Sequence, residues 1–336
     1  MMVLVTLAAG ADVAGVKRAL VSRGLWIEPL EDEGRVTHLW VAPPSAAVDP
    51  DELRAITGVA AVATPPSRHP RLDEQAAGVR IAGTAFGAGA PPVLLAGPCS
   101  IESEAHIFET AERVAAAGAR FLRGGAHKPR TSPYSFQGHG PRALSWMRRA
   151  ADAHGLGVVT EATTPEEVPA VAAVADLVQV GSRNMSSFGL LRAVGRAGRP
   201  VLLKRGMAAT VEEWLLAGEH LLVHGAPTVI FCERGVRGFD GATRNLLDLA
   251  AAALLAHVYR LPVVVDPSHA TGRRDLVVPL ALAAVAAGAA GVIVETHDDP
   301  GAALSDGPQA ISTAELGALA RAVGAAVPEA QRATHG

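Results

Sequence analysis

The feature that most constrains the fold is a series of short apolar blocks, each about as long as a buried strand, that starts near residue 93. Segments long enough for one helix and two loops separate successive blocks. Apolar strands that alternate with helices predict a parallel sheet whose outer face is covered. Eight such units predict a (β/α)8 barrel. The blocks are Val93–Ala96, Arg120–Leu122, Val158–Thr160, Leu177–Val180, Val201–Leu203, Val229–Phe231, Val263–Val265 and Val292–Val294.

A doubly wound open sheet is the alternative that this alternation leaves open. The number and size of the units favour the barrel, which we place at residues 79–327. Its first segment, residues 79–87, predicts a short hairpin that closes the bottom of the barrel. Residues 328–336 are expected to form a flexible tail.

The first 65 residues follow another pattern, in which strand-like and helical stretches predict a small ferredoxin-like βαββαβ domain. Residues 66–78 are rich in proline and charge and are interpreted as a linker. The strand-like stretches are Val3–Ala8, Trp26–Leu30, Val36–Val41 and Val59–Thr64, and the helical ones are Val13–Arg23 and Pro50–Thr57.

Charge and composition exclude several classes of protein. The 336 residues carry a formal net charge of −3, so no overall electrostatic bias favours nucleic acid or an acidic membrane. Two cysteines cannot build a disulfide framework, and the apolar start lacks the basic region of a signal peptide. The longest Ala-rich stretch is too short to span a bilayer. We therefore expect a cytoplasmic protein without nucleic-acid or membrane partners.

Cationic residues follow the predicted strands at the end where barrel enzymes carry their functional groups. One or two of them could simply mark strand exits into water, but a whole set on a chain of negative net charge predicts a site for more than one anionic group. The set is Arg123, Lys128, Arg130, Arg183, Lys204, Arg205 and Arg234.

Four other side chains at strand ends, Cys99, His269, Glu295 and Asp306, could bind a divalent transition metal. Each also has a plain structural interpretation, as a small buried residue, a helix cap or an ion-pair partner of an arginine. From the residues alone, both interpretations stay open. Cys232 is interpreted as structural.

Several motifs together resemble 3-deoxy-D-arabino-heptulosonate 7-phosphate (DAHP) synthases, and more narrowly their type I beta subclass. The resemblance covers residues 80–325, and the motifs occur in order. They are LLAGPCSIES (94–103), FLRGGAHKPRTSPYSFQG (121–138), VTEA (159–162), LLKRG (202–206), CERG (232–235), DPSHATGRRDL (266–276), VIVETH (292–297) and LSDGPQ (304–309).

The resemblance implies a barrel enzyme of the shikimate pathway that condenses phosphoenolpyruvate with erythrose 4-phosphate and releases phosphate. It implies a homo-oligomer, with a tetramer favoured. It also implies a divalent metal held by Cys99, His269, Glu295 and Asp306. The mixture of ligand types makes Mn²⁺ the first choice, with Fe²⁺, Co²⁺ and Zn²⁺ as alternatives.

The resemblance also assigns substrate roles. Arg123 and Lys128 would bind phosphoenolpyruvate near its carboxylate, and Lys128 would protonate the developing alkoxide. Glu161 would lie beside the reacting carbons and their water. The phosphate of phosphoenolpyruvate would be held by Arg183, Lys204, Arg234 and the backbone of Gly181 and Ser182, and the aldose by Lys128, Arg130 and Thr131, with Arg130 on its phosphate. Ser182 stands where relatives commonly have alanine, which matters little for a backbone contact.

Three other functions are weighed. An octulosonate 8-phosphate synthase uses arabinose 5-phosphate on the same barrel, but KPRTS at residues 128–132 differs from its KANRS-like sequence. A sialic-acid-type synthase fits less well. A catalytically inactive sensor of aromatic amino acids, or a partner of chorismate mutase, would have no need of the complete ligand set.

The small domain could bind tyrosine or phenylalanine as an effector, or serve assembly alone.

Overall fold

The computed structural model describes residues 3–42, 45–128, 134 and 136–325. The chain divides into two compact units, Met1–Arg68 and His69–Gly336. The predicted tail, residues 328–336, lies outside the described residues.

The first unit is a four-stranded antiparallel sheet with two helices, as the pattern of the first 65 residues predicts. The strands pair in the order β2-β3-β1-β4, which is the ferredoxin-like arrangement. Val5, Leu20 and Leu39 are fully buried and form its core with neighbouring aliphatic residues. The elements are β1 (Val3–Leu7), α1 (Val13–Val21), β2 (Ile27–Asp32), β3 (Arg35–Val41), α2 (Pro50–Arg54) and β4 (Val59–Ala63).

The second unit is a closed barrel of eight parallel strands, which confirms the predicted fold and excludes the open sheet. The strands neighbour one another in the order β10-β11-β12-β13-β14-β7-β8-β9. They are β7 (Val93–Gly97), β8 (Phe121–Arg123), β9 (Gly157–Glu161), β10 (Leu177–Val180), β11 (Val201–Lys204), β12 (Val229–Glu233), β13 (Val263–Val265) and β14 (Gly291–Glu295).

Helices follow the strands and cover the outside of the barrel. No helix within the described ranges has both the length and the apolar character needed to cross a membrane. The helices are α3 (Pro70–Asp73), α4 (Glu104–Ala116), α5 (Pro141–Ala153), α6 (Val168–Val174), α7 (Phe188–Arg196), α8 (Val211–Val223), α9 (Leu249–Ala253), α10 (Pro267–Thr271), α11 (Val277–Ala286) and α12 (Thr313–Ala325), with short 3₁₀ turns at Ser182–Asn184, Arg274–Leu276 and Gly307–Gln309 and a π-helical turn at Leu254–Val258.

Side chains along each strand alternate between the barrel interior and the helix layer. In β7, Leu95 packs in the interior cluster, whereas Leu94 and Ala96 pack in the outer cluster. Both directions are apolar because both faces of the sheet are covered, which explains why the strands appear as continuous apolar blocks in the sequence.

A short antiparallel hairpin, β5 (Gly78–Ile81) and β6 (Thr84–Gly87), precedes the first barrel strand, as predicted. Ile81 and Phe86 are buried in the barrel's interior cluster. The Phe86 ring lies 5.5 Å from that of Phe121, at the start of β8. The hairpin therefore fills the end of the barrel opposite the carboxyl ends of its strands.

The prediction of a linker over residues 66–78 is wrong from His69 onwards. Residues 70–73 form α3, and the backbone N–H groups of Arg71 and Leu72 each donate to the carboxylate of Glu219 at 3.0 Å. The Gln75 side chain exchanges hydrogen bonds with the backbone of Val229. Proline and charge suggested a linker, but proline also suits the first turn of a helix, and long-range partners anchor this one.

Candidate active site

The site lies at the carboxyl ends of the barrel strands, where each strand delivers one or more functional side chains. Arg123, Glu161, Lys204 and Glu295 are the last residues of β8, β9, β11 and β14. Cys99 follows β7 by two residues. Gly97, the last residue of β7, has no room for a side chain, because a Cβ there would lie 2.0 Å from the Arg123 carbonyl oxygen. The close packing of adjacent strand ends therefore fixes where this thiol is placed.

The four predicted metal ligands come together. One ligand atom from each of Cys99, His269, Glu295 and Asp306 lies within 4.8 Å of all the others. Cys99 Sγ lies 3.0 Å from Asp306 Oδ2, and His269 Nε2 lies 3.2 Å from Glu295 Oε1. Separations of this size leave a position from which a single ion can contact all four atoms.

The electrostatics of this group fit a divalent cation. Burial, and next the Glu295 carboxylate, raise the pKa of the Cys99 thiol to about 12, although Lys128 opposes the shift. A thiol becomes a good ligand as its thiolate, and a bound cation removes its proton. Burial would also raise the pKa of Glu295, but the charges of His269 and Arg123 hold it well below its usual range. The mixed sulfur, nitrogen and oxygen donors suit a transition metal.

Asp266 orients His269, and the sequence reasoning did not assign it a role. It caps α10, where its Oδ1 accepts from the His269 backbone N–H at 2.9 Å and its Oδ2 accepts from His269 Nδ1 at 2.7 Å. Because a proton is thus held on Nδ1, Nε2 is the ring nitrogen that can offer a lone pair to an ion. The spacing Asp-Pro-Ser-His, with proline at the first helical position, was a signal that could have identified this cap.

Gln309 was also missed. It is fully buried, and its side-chain nitrogen donates to Glu295 Oε2. Glu295 Oε1 accepts from Arg123 at 2.9 Å and faces His269. The two oxygens of this carboxylate therefore have separate partners, which fixes the orientation of its plane.

Lys128 links the thiol to the loop that precedes the 129–133 segment. Its Nζ lies 2.9 Å from both Cys99 Sγ and the Cys99 carbonyl oxygen. Arg123 also donates to the Pro98 carbonyl oxygen at 2.9 Å. These two cations border the predicted metal group on the side of β8. Arg130 and Thr131 lie outside the described residues, and their roles stay predictions.

Two buried cations lie at the ends of β11 and β12. Lys204 is 4% exposed and its Nζ lies 2.5 Å from Asp266 Oδ2, so one carboxylate connects this lysine to His269. Arg234 is 8% exposed, and one of its terminal nitrogens has no hydrogen-bond partner within the described structure. Burial lowers the pKa of Arg234. A buried guanidinium with an unpaired N–H group lowers the stability of the fold unless an anion accepts a hydrogen bond from it.

Arg205 is corrected from the cationic set. Although it follows β11, its guanidinium lies 3.1 Å from Glu233 and 2.8 Å from Asp248, and it stacks over the Trp214 ring at 5.7 Å. Two carboxylates neutralise it, so it stabilises the helix layer. Arg183 differs again, because it is exposed.

Glu161 and Gly181 meet at the ends of β9 and β10. Gln179 donates to Glu161 Oε2 at 2.9 Å. A Cβ at Gly181 would lie 2.1 Å from Glu161 Oε1, so this glycine leaves room for the carboxylate. The Ser182 hydroxyl beside it is buried without a hydrogen-bond partner in the described ranges. The Glu161 carboxylate, which can accept hydrogen bonds, thus lies beside the backbone of Gly181 and Ser182 at the carboxyl ends of the barrel strands.

Comparison with known proteins identifies the family. The sequence model of the DAHP synthetase I family matches residues 71–330. The chain belongs to the DAHP synthetase I family. A phospho-2-dehydro-3-deoxyheptonate aldolase from Thermotoga maritima is 51% identical over 218 residues, which are 65% of this chain and 64% of that relative. The chain thus spans slightly less than two thirds of that relative's length in sequence. A 2-dehydro-3-deoxyphosphooctonate aldolase from Acidithiobacillus ferrooxidans is 34% identical, covering 69% of this chain and 88% of its own.

Solved structures agree with the family assignment over a longer stretch. A crystal structure of phospho-2-dehydro-3-deoxyheptonate aldolase (DAHP synthase) from Thermotoga maritima superposes with a TM-score of 0.75 and 38% identity, covering 95% of each chain. A truncated form of 3-deoxy-D-arabino-heptulosonate 7-phosphate synthase from the same organism gives a TM-score of 0.68 and 42% identity, covering 74% of this chain and 90% of that one. The first of these structures therefore covers both the small domain and the barrel of this chain.

Proposed function

We propose that this chain condenses phosphoenolpyruvate with erythrose 4-phosphate, giving DAHP and inorganic phosphate at the entry to the shikimate pathway. The observation that carries the proposal is the convergence of Cys99, His269, Glu295 and Asp306 beside buried cations in a DAHP synthetase I barrel. A catalytically inactive sensor would have no need of four ligands within 4.8 Å of one another.

A divalent ion held by these four residues supplies Lewis acidity towards an aldehyde oxygen. Mn²⁺ is the first choice because two carboxylates balance the softer thiolate and imidazole, and Fe²⁺, Co²⁺ and Zn²⁺ are alternatives. Asp266 holds the imidazole in the required tautomer, and Arg123 and Gln309 hold the Glu295 carboxylate. These contacts prepare the ligands before any ion binds.

Phosphoenolpyruvate would lie between the two groups of cations. Arg123 and Lys128 would bind it near its carboxylate, and Lys204 and Arg234 would bind its phosphate. The free donor of buried Arg234 supports this assignment, because a phosphate oxygen is a suitable acceptor for it. Arg183 and the backbone of Gly181 and Ser182 would complete the phosphate site from the end of β10.

Two proton transfers are assigned to residues of the chain. As carbon 3 of phosphoenolpyruvate attacks the aldehyde carbon, Lys128 would donate a proton to the aldehyde oxygen. Glu161 would accept a proton from the water that adds to carbon 2. Breakdown of the resulting hemiketal phosphate releases inorganic phosphate. Gln179 supports the second role, because it bonds Oε2 and leaves Oε1 of Glu161 without a hydrogen-bond partner among the described residues. Arg130 and Thr131 would bind the aldose, with Arg130 on its phosphate.

Comparison of two aldoses tests the choice of substrate. We expect the protein to consume phosphoenolpyruvate with erythrose 4-phosphate at least about 100-fold more efficiently than with arabinose 5-phosphate. One misplaced hydroxymethylene unit and phosphate cost a few kcal/mol of transition-state binding. Phosphate release and mass spectrometry of the product measure this. A preference for arabinose 5-phosphate would instead support the activity named for the octulosonate relatives.

The small N-terminal domain is proposed to bind tyrosine or phenylalanine as an inhibitor. Every proposed ligand and substrate residue lies at or after Cys99, so removal of residues 1–68 should leave an active barrel. The cut must precede α3, which is anchored to Glu219. We expect tyrosine or phenylalanine to inhibit the full chain and not the truncated one, with a coupling of about 1–3 kcal/mol.

Initial rates of both forms across an effector series measure this prediction. Equal inhibition of both forms would place the effector site in the barrel. Inhibition of neither would leave the domain a role in assembly. A homo-oligomer, with a tetramer favoured, and a cytoplasmic location complete the proposal, and light scattering of the purified protein tests the first of these.

A further inference from the structure

A second group of potential metal ligands lies apart from the four residues already described. It consists of Glu102 in the loop after β7, His106 in the first turn of α4, and His297 two residues after β14. One ligand atom from each lies within 4.8 Å of the other two. The rings of His106 and His297 have centroids 4.6 Å apart. Nothing in the proposed reaction uses these three side chains.

The two imidazoles of this second group are incompletely satisfied. Both ring nitrogens of His106 and Nε2 of His297 are buried and have no hydrogen-bond partner in the part of the chain described. His297 is 8% exposed, and its Nε2 lies 3.5 Å from Glu102 Oε2 without a hydrogen bond to it. Buried polar atoms without partners are rare and call for a missing one. Three such nitrogens around one carboxylate favour a cation as that partner.

We propose that Glu102, His106 and His297 bind a second divalent transition metal, of the zinc type. Two imidazoles and one carboxylate form a recognised zinc ligand set, in which water takes the fourth tetrahedral position. A cation suits the local charge, since Glu102 contributes the only formal charge of the three when both imidazoles are neutral.

Binding at His297 requires one local rearrangement. Its Nδ1 accepts from the Asp299 backbone N–H at 3.1 Å, so the ring proton sits on Nε2, towards Glu102. An ion takes the place of that proton, the proton moves to Nδ1, and the hydrogen bond from Asp299 is lost. Loss of one such bond weakens binding by about tenfold. The metal affinity gained from two imidazoles and a carboxylate exceeds this loss by several powers of ten.

The second ion would fasten the loop that carries Asp306. Glu102 Oε1 already accepts from the Leu304 backbone N–H at 2.8 Å, and the Ser100 and Ser305 hydroxyls lie 2.7 Å apart. These bonds join the loop after β7 to the loop after β14. An ion on Glu102 Oε2 would add a third connection between these two loops. Asp306 is the residue directly after Ser305, so this connection would lie next to it. The second site would therefore stabilise the loop without touching substrate.

Metal analysis of the protein dialysed against low Zn²⁺ tests the proposal. We expect about two zinc ions per chain for the wild type and one for His106→Leu. His220→Leu is the matched control, because exposed His220 stacks on half-buried His224 and the two imidazoles could bind zinc at the surface. It should retain two ions. Equal numbers of bound ions in the wild type and His106→Leu, or loss of an ion in His220→Leu and not in His106→Leu, would overturn the proposal.

Thermal unfolding separates the second site from a folding defect. Without metal, His106→Leu should melt no lower than the wild type, because leucine removes two buried ring nitrogens that have no hydrogen-bond partner in the described part of the chain. Added Zn²⁺ should raise the melting temperature of the wild type by several degrees more than that of His106→Leu. Equal shifts in both proteins would contradict a site at His106. Because neither measurement uses substrate, its outcome is independent of the proposed condensation.

Discussion

Cys99→Ala is expected to abolish condensation while the barrel stays folded. The variant loses one of four ligand atoms and is expected to lose the ion. Loss of the ion removes several kcal/mol of transition-state stabilisation. We therefore expect kcat/KM to fall by about 1,000-fold or more. The mutated side chain is small and lies at a strand end beside the mouth, so packing changes little. Phosphate-release rates and metal content after dialysis against Mn²⁺ measure both effects.

Cys232→Ala is the matched control for this prediction. Cys232 is also fully buried, and burial raises its pKa as well, but its side chain packs in the barrel's interior cluster. This control should lose about 1 kcal/mol of stability and keep its activity and metal content. Full activity and metal content in Cys99→Ala would refute the assignment of the thiol as a ligand.

Asp266→Asn is the second change with a large expected effect, because one carboxylate holds two parts of the site. Lys204 would lose its partner in a buried position, and an unpaired buried charge costs about 3–5 kcal/mol of unfolding free energy. The amide can also turn its NH₂ group towards His269 Nδ1, so the imidazole loses its fixed tautomer. Metal affinity should fall about 10–100-fold.

Chemical denaturation and metal titration measure these two effects separately. Asp176→Asn is the control, since Asp176 pairs with Arg148 at 2.8 Å, and both side chains are partly exposed. It should cost about 1 kcal/mol and leave metal affinity unchanged. If Asp266→Asn behaved like this control, the connection between the metal group and Lys204 would have no energetic weight.

The fold could be predicted because its rules are local and repeated. Every apolar block from residue 93 became a barrel strand, since a strand covered on both faces must be apolar throughout. The prediction of a linker over residues 66–78 failed because the contacts that order this segment are with residues distant in the sequence. Nothing near Pro70 in the sequence reveals that Glu219, far along the chain, accepts from the first turn of α3.

The candidate site shows the same division. Strand ends can be found by pattern, so the positions of Cys99, Lys204 and Glu295 could be anticipated. Which cation is already neutralised depends on carboxylates that are distant in the sequence. The pattern therefore includes Arg205 in the cationic set, although Glu233 and Asp248 neutralise it. The supporting contacts of Asp266 and Gln309 likewise depend on three-dimensional neighbours.

Phosphate release by protein stripped of metal is the most direct test of the central claim, that this barrel mouth performs a metal-dependent condensation. The purified wild type would be treated with chelator, desalted, and mixed with phosphoenolpyruvate and erythrose 4-phosphate before and after addition of Mn²⁺. We predict that no phosphate is released without the ion. Addition of Mn²⁺ should restore phosphate release only when the aldose is present, with one phosphate released for each phosphoenolpyruvate consumed. Release at the same rate without metal, or without the aldose, would contradict the account.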